Sequence, residues 1–89
     1  MKLLETSKFS KLRKKIRDEA ESVALKSAIG EILKDPQIGK KLKGELGHLR
    51  SYSYTARGQT RRLIYHWYHW EKNEMVLFSF GPRQGIYKN

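Results

Sequence analysis

Hydrophobic residues along the chain follow two different periods, and the change of period divides the sequence into two halves. Between residues 25 and 33 the apolar positions recur at spacings of three and four, which is typical of one buried helix face. From residue 49 onward the spacing is two, in "LRSYSYT" (49–55), "RRLIYHWYHW" (61–70) and "MVLFSF" (75–80). The pattern therefore predicts helices followed by a meander of strands, which is an α+β fold.

The helical half contains the signals for two helices. Ser7 and Ser10 are both suitable N-caps for the first helix, and the acidic "DEAE" opens the second, which Asp35-Pro36 ends. "KLLET" before them predicts a short edge strand, and the lysine- and glycine-rich segment after Pro36 predicts a loop. We expect a single domain over residues 1–89, with two N-terminal helices packed on one face of a small antiparallel sheet.

Strand alternation assigns each side chain to one face of this sheet. The residues predicted to face the helices are Leu63, Tyr65, Trp67, Val76, Phe78 and Phe80. The residues predicted to lie on the opposite, uncovered face are Arg50, Tyr52, Tyr54, Arg62, Ile64, His66, Tyr68, Leu77 and Ser79. This second face is basic and aromatic, so it is the predicted functional surface.

The charge of the chain is strongly and unevenly positive. It has 19 Lys+Arg against 9 Asp+Glu, and from Leu46 onward the only acids are Glu71 and Glu74. The same half contains both tryptophans and all five tyrosines. Basic groups interleaved with aromatic rings are typical of surfaces that bind single-stranded RNA. The residues predicted to contact RNA are Arg50, Tyr54, Lys8, Lys11, Lys14, Lys15, Lys40, Lys41 and Lys43.

Several other classes of protein do not fit the sequence. The chain has no cysteine, so neither a disulfide framework nor a thiolate metal site is expected. His66 and His69 are separated by an odd number of positions, so a strand sends them to opposite faces and no metal site is predicted. We predict no cofactor. No apolar run approaches the roughly 20 residues of a membrane span, and the N-terminus lacks the apolar middle of a signal peptide. A cytoplasmic protein without a membrane partner is therefore expected.

Three segments, taken in order, resemble the RelE/ParE superfamily of toxins from type II toxin–antitoxin systems. They are "AIGEILKDPQIGKKLKGEL", "RRLIY" and "FGPRQGIYK", and the closing Gly-x-Arg…Tyr favours the RelE-like branch. The resemblance implies a ribosome-dependent endoribonuclease that cleaves mRNA without a metal. In that reaction the ribose 2′-hydroxyl attacks the adjacent phosphate and leaves a cyclic phosphate and a free 5′-hydroxyl. It also implies a cognate antitoxin as partner, with the ribosome and mRNA as targets.

The resemblance implies roles for individual residues. Arg62 and Arg83 match the catalytic arginines of the family, and Tyr87 matches the aromatic residue that stacks on a base. Because arginine is a poor proton donor near neutral pH, we assign both arginines to electrostatic stabilisation of the transition state. The family often carries lysines on the first strand of the meander, where this sequence has Arg50, Tyr52 and Tyr54. His66 and Tyr52 are the candidates for the general base.

Two other functions are compatible with the sequence. The ParE branch of the superfamily keeps the fold but poisons DNA gyrase, and that function would leave Arg62 and Arg83 dispensable. A non-catalytic RNA-binding module would bind RNA in a salt-sensitive way and yield no cleaved product.

Overall fold

The computed structural model describes residues 1–68 and 73–82. Within these residues the chain forms two α-helices, a short 3₁₀-helix and one five-stranded sheet of strand order β1-β5-β4-β3-β2. The elements are β1 (Lys2–Glu5), α1 (Ser7–Lys14), α2 (Glu19–Lys34), β2 (Lys40–Lys41), the 3₁₀-helix (Gly44–Leu46), β3 (Arg50–Ala56), β4 (Gln59–Tyr68) and β5 (Glu74–Pro82).

The predicted α+β fold and its N-terminal edge strand are confirmed, with two changes to the sheet. Strand β1 pairs with β5 in parallel, whereas the other neighbouring strands are antiparallel, so the sheet is mixed. The opposite edge is β2, which lies in a segment predicted to be a loop. The last two residues of the predicted strand 61–70 lie outside the described residues.

Each α-helix is preceded by a residue whose side chain accepts a backbone hydrogen bond. Thr6 caps α1 by accepting from the Phe9 N–H at 3.1 Å, so the prediction of a serine cap was wrong, because Ser7 is already the first helical residue. Asp18 caps α2 by accepting from the Glu21 N–H at 3.1 Å. This hydrogen bond lowers the pKa of the Asp18 carboxyl group.

The core lies between the helices and one face of the sheet. Helix α1 packs on β5 and α2 packs on β3. The buried residues that form this cluster are Phe9, Leu25, Ala28, Ile32, Leu63, Tyr65, Met75 and Leu77. Leu63 and Tyr65 are completely buried, as their alternation predicted, and Trp67 packs partly buried against the cluster.

A β-bulge reverses the predicted faces along much of β5. The register shifts by one residue between Ile64 and Tyr65, and the extra residue in β5 is Phe78. The three pairs that define the shift are Leu63–Phe80, Ile64–Ser79 and Tyr65–Leu77. Before the bulge, therefore, Met75 and Leu77 face the helices, and the assignment of Val76 and Phe78 to that face was wrong. After it Phe80 faces inward as predicted, with its ring centroid 5.1 Å from that of Phe9.

The sheet face turned away from the helices is called the outer face. Strands β3 and β4 contribute Ser51, Ser53, Arg62, Ile64 and His66 to it. The pair Ile64–Ser79 is nonetheless buried, at 3% and 5% exposure. The accessible parts of the outer face therefore lie on either side of this pair, around Arg62 and around His66.

Candidate nucleic-acid interface

The position of β2 depends on one buried tyrosine. The Tyr65 hydroxyl donates to the Pro36 carbonyl oxygen and accepts from the Gly39 N–H, each at 2.9 Å. A Cβ atom at Gly39 would lie 2.5 Å from the Tyr65 hydroxyl oxygen, so this close approach requires glycine. Arg50 also holds this segment, because its guanidinium donates a hydrogen bond to the Gly39 carbonyl oxygen at 2.8 Å. The chain therefore enters β2 in a fixed position beside β3.

The fixed β2 forms one wall of a groove on the outer face. Lys40 pairs with Ser51, and Ser53 pairs with Arg62, so these side chains share that face. The cavity between them measures about 270 Å³. We call it the lysine groove, and it is lined by Lys40, Lys41, Leu42, Lys43, Ser51, Ser53 and Arg62. Four of these residues are basic and none is acidic, so the groove suits an anion.

The tandem arginines of "RRLIY" point to opposite faces of the sheet and have different environments. Arg61 faces the helices and forms an ion pair with Glu21 at 2.7 Å, with side-chain exposures of 14% and 20%. Arg62 lies in the groove. No residue of 1–68 or 73–82 forms an ion pair with its guanidinium, and arginine can bind a phosphate with two parallel hydrogen bonds.

The predicted outer-face positions on β3 were wrong by one residue. Arg50, Tyr52 and Tyr54 pair with Tyr65, Leu63 and Arg61, which places them on the helix side of the sheet. Tyr52 and Tyr54 pack half-buried against the core. The prediction assumed that an inward-facing Leu49 sets the phase of the alternation. Leu49 is buried but lies before β3, so the alternation does not extend to it, and the strand begins with Arg50 facing the helices.

Tyr54 is the clearest case of a predicted RNA contact that the structure places in the interior. Its hydroxyl oxygen is buried and has no hydrogen-bond partner among the described residues. Burial, followed by the negative charge of Glu21, raises the pKa of this hydroxyl to about 12. The hydroxyl-bearing residues on the outer face of β3 are instead Ser51, Ser53 and Thr55. The alternation in "RSYSYT" separates the serines from the tyrosines, but it does not indicate which of the two sets faces the helices.

His66 lies on the outer face as predicted, away from the groove. It is four residues beyond Arg62 on β4, a distance of about 13 Å along the strand. Its Nδ1 donates a hydrogen bond to the His48 carbonyl oxygen. His66 and Tyr52 therefore do not meet Arg62 in the groove, although both were predicted as candidates for the general base.

The basic residues of α1 form a separate surface. Lys8, Lys11, Lys14 and Lys15 are exposed on a helix that covers the opposite face of the sheet from the lysine groove. The structure thus brings Lys40, Lys41 and Lys43 together with Arg62 and leaves the α1 lysines on the other side of the molecule. The two remaining predicted site residues, Arg83 and Tyr87, lie outside the described residues.

The described residues contain neither a metal-binding cluster nor a helix that could span a membrane. No group of three or more His, Asp or Glu side chains in residues 1–68 and 73–82 is arranged to hold a metal ion. None of the helices in the same ranges has the length and apolar character that crossing a membrane requires.

Comparison with known proteins supplies a family and two similar structures. A family model, described as the ParE-like toxin of type II bacterial toxin–antitoxin system, matches residues 3–89. The chain is similar to the crystal structure of the intact E. coli RelBE toxin–antitoxin complex, with 21% identity, a TM-score of 0.71, and coverage of 91% of this chain and 94% of that chain. It is also similar to a free-state mutant of the E. coli toxin RelE with two arginines replaced by alanine. That match has 23% identity, a TM-score of 0.72, and coverage of 97% and 86%. No curated protein matches the sequence.

Proposed function

The chain belongs to the ParE-like toxins of type II bacterial toxin–antitoxin systems, and we propose that it is a ribosome-dependent endoribonuclease that cleaves mRNA. The observation that carries this proposal is the lysine groove, in which a half-buried arginine without an ion-pair partner in the described part of the chain faces three lysines and two serines. Such a site suits a phosphodiester, because its basic groups bind phosphate oxygens and the exposed Ser53 hydroxyl can donate a hydrogen bond to them.

The proposed reaction needs only groups that the RNA, the solvent and the groove provide. The 2′-hydroxyl gives up its proton to solvent water and its oxygen forms a bond to the adjacent phosphorus, while the bond from phosphorus to the 5′ oxygen of the next nucleotide breaks. The products are a 2′,3′-cyclic phosphate and a 5′-hydroxyl. The phosphoryl group gains negative charge on the way to the transition state, and Arg62 is assigned to stabilise that charge. A lysine ammonium of the groove is assigned to protonate the leaving 5′ oxygen.

The remaining catalytic assignments rest on the sequence resemblance. Arg83 is proposed as a second arginine on the phosphate and Tyr87 as the residue that stacks on a neighbouring base. Gly81, the cross-strand partner of Arg62, precedes Arg83 by two positions in the sequence. Tyr52 and His66 are not included as the general base, because Tyr52 faces the helices and His66 is about 13 Å along β4 from Arg62.

The proposed partners follow from charge and from the family. A net charge of +10 favours an acidic partner segment, and we propose a cognate antitoxin that covers the lysine groove. The α1 lysines are proposed to bind ribosomal RNA phosphates without sequence preference.

The decisive experiment is single-turnover cleavage of mRNA on programmed ribosomes by an Arg62→Ala variant. Loss of one preorganised donor to the transition state should reduce the rate by about 10²–10³. Binding of uncleaved RNA should fall much less, because an interaction made mainly in the transition state is lost mainly from the chemical step. Arg62→Lys should restore only part of the rate, because a lysine ammonium cannot form the bidentate hydrogen bonds that a guanidinium forms with a phosphate.

Arg17→Ala is the matched control for this experiment. It removes the same charge from the exposed segment between α1 and α2 and should cleave at the parental rate. A thermal melt of each variant separates lost chemistry from lost folding. Cleavage by Arg62→Ala at the parental rate, with an unchanged melting temperature, would falsify the catalytic assignment.

A second candidate function is inhibition of DNA gyrase, which the ParE-like description of the family favours. It requires no contact with the ribosome and no phosphodiester cleavage by Arg62. Inhibition of purified gyrase supercoiling that persists in Arg62→Ala, together with intact mRNA on programmed ribosomes, would establish this function in place of the first. Salt-sensitive RNA binding without either activity would identify a binding module.

A further inference from the structure

Three aromatic side chains meet on the outer face, beyond the buried Ile64–Ser79 pair. The ring centroids of His66 and Tyr68 are 4.0 Å apart, and those of His48 and His66 are 5.6 Å apart. Both contacts are edge-to-face, with interplanar angles of 87° and 74°. We call His48, His66 and Tyr68 the ring cluster.

The ring cluster is held in place yet remains accessible. The hydrogen bond from His66 Nδ1 to the His48 carbonyl oxygen fixes the orientation of the central ring and leaves Nε2 as the acceptor of the neutral imidazole. Tyr68 is 44% exposed, and His48 is also exposed. Exposed rings that are fixed before binding lose little rotational freedom when a ligand stacks on them.

The surroundings of the ring cluster are basic and connect it to the lysine groove. A cavity of about 140 Å³ beside His48 and His66 is lined by Gln37, Lys41, Gly47, His48, Arg50, His66 and Trp67. Lys41 lines both this cavity and the lysine groove, so the two are adjacent on the surface. A polyanion that lies in the groove therefore has a positively charged path to the rings.

We propose that the ring cluster is a second nucleobase-binding site, which stacks an unpaired base of the same RNA strand whose phosphate lies in the lysine groove. This inference rests on the proposed function, because it places the RNA in that groove. Arg62 and His66 are about 13 Å apart along β4. That distance corresponds to no more than about four nucleotides at the 3.4 Å rise of a stacked strand.

An RNA base fits these features better than an apolar peptide does. Every base offers a π-face, so stacking on rings tolerates any sequence, and the strand that carries the base also carries phosphates for Lys41. The ring cluster also has hydrogen-bonding atoms, namely His66 Nε2 and the Tyr68 hydroxyl, that suit the polar edge of a base.

The test uses purified protein and nuclease-resistant 2′-O-methyl oligonucleotides of two and eight nucleotides, each series carrying the fluorescent base 2-aminopurine at successive positions. We expect Tyr68→Ala and His66→Ala to weaken binding of the eight-nucleotide strand by about 5- to 150-fold, the equivalent of about 1–3 kcal/mol of stacking on a base. The dinucleotide, which is too short to span groove and rings even when extended, should lose much less. Stacking should also quench 2-aminopurine in the parent at one position, and this quenching should disappear in both variants.

Substitutions at Tyr68 separate stacking from general apolar contact. Tyr68→Phe keeps the ring and should bind the long strand within a few-fold of the parent. Tyr68→Leu keeps apolar volume without a ring and should bind as weakly as Tyr68→Ala. Equal binding by Leu and Phe variants would overturn the proposal, as would parental binding and quenching in Tyr68→Ala and His66→Ala with unchanged melting temperatures.

The outcomes also separate this proposal from the proposed nuclease activity. Ring-dependent oligonucleotide binding by a protein that leaves ribosome-bound mRNA intact would support the ring cluster and overturn the nuclease. Arg62-dependent cleavage, combined with oligonucleotide binding that is unchanged in Tyr68→Ala and His66→Ala, would support the nuclease and overturn the ring cluster. Variants that lose affinity only for a purified cognate antitoxin would overturn the proposal and identify the rings as a protein contact.

Discussion

Tyr65 shows how one hydroxyl group connects the core to the lysine groove. Its ring is completely buried in the core, while its hydroxyl bonds to both Pro36 and Gly39 at the entrance to β2. The lysines of the groove follow directly after Gly39. A residue that alternation identifies only as core therefore also positions the groove.

We predict that Tyr65→Phe destabilises the fold and weakens RNA binding. The substitution leaves the Gly39 N–H and the Pro36 carbonyl without their partner, which should lower the free energy of unfolding by about 1–3 kcal/mol. Chemical denaturation measures this loss, and oligonucleotide affinity measures the looser placement of Lys40 and Lys41.

Tyr54→Phe is the matched control for Tyr65→Phe, because the same atom is removed from a hydroxyl that is buried without a hydrogen-bond partner in the described residues. Removing an unsatisfied buried hydroxyl should leave the free energy of unfolding unchanged or slightly raised. Equal losses in the two variants would contradict the role given to the Tyr65 hydrogen bonds.

At the scale of elements, Thr6 joins the start of α1 to the bulge in β5. Its hydroxyl oxygen accepts from the Phe9 N–H and donates to the carbonyl oxygen of Phe78, the extra residue of the bulge, at 2.9 Å. The Thr6 N–H also donates to the Leu77 carbonyl oxygen at 3.0 Å. One residue thus caps a helix and satisfies a carbonyl that the bulge removes from the strand ladder.

We predict that Thr6→Val, which keeps the shape and removes the hydroxyl, lowers the free energy of unfolding by about 1–3 kcal/mol. Thr6→Ser keeps both hydrogen bonds and should stay close to the parent. Denaturant titrations of the two variants provide the comparison. A Thr6→Val protein as stable as Thr6→Ser would show that the cap and the bulge are satisfied in another way.

These elements also show what the sequence could and could not predict. Helical and strand periods were sufficient for the α+β fold and for Arg62 on the outer face, and the Asp35-Pro36 pair was sufficient for the end of α2. The bulge at Phe78 was not predictable from its own strand, because the residue that satisfies it lies 72 positions away in the chain. Strand β2 was missed for the same kind of reason, since its position depends on Tyr65 rather than on its own two lysines.

At the scale of the whole molecule, the positive charge is divided between two surfaces on opposite sides of the sheet. The lysine groove and the ring cluster lie on the outer face of the sheet, and the α1 lysines lie on the helix that covers the other face. A single RNA strand in the groove therefore does not meet the α1 lysines without passing around the molecule. The arrangement favours two partners at once, a short strand at the groove and a larger polyanion at the helix.

We predict that lysine-to-glutamine changes at the two surfaces have different effects. Changing Lys40, Lys41 and Lys43 together should weaken binding of a short single-stranded oligonucleotide. It should also reduce the slope of log affinity against log salt by about 2, since each phosphate contact to a single strand contributes about 0.7. Changing Lys8, Lys11 and Lys14 should leave that slope unchanged and instead reduce co-sedimentation with ribosomes.

Both sets remove three charges from exposed positions, so each serves as the control for the other, and thermal melts should agree with the parent. Equal losses from both sets in both assays would mean that RNA responds only to net charge, and the division into two surfaces would have no functional meaning.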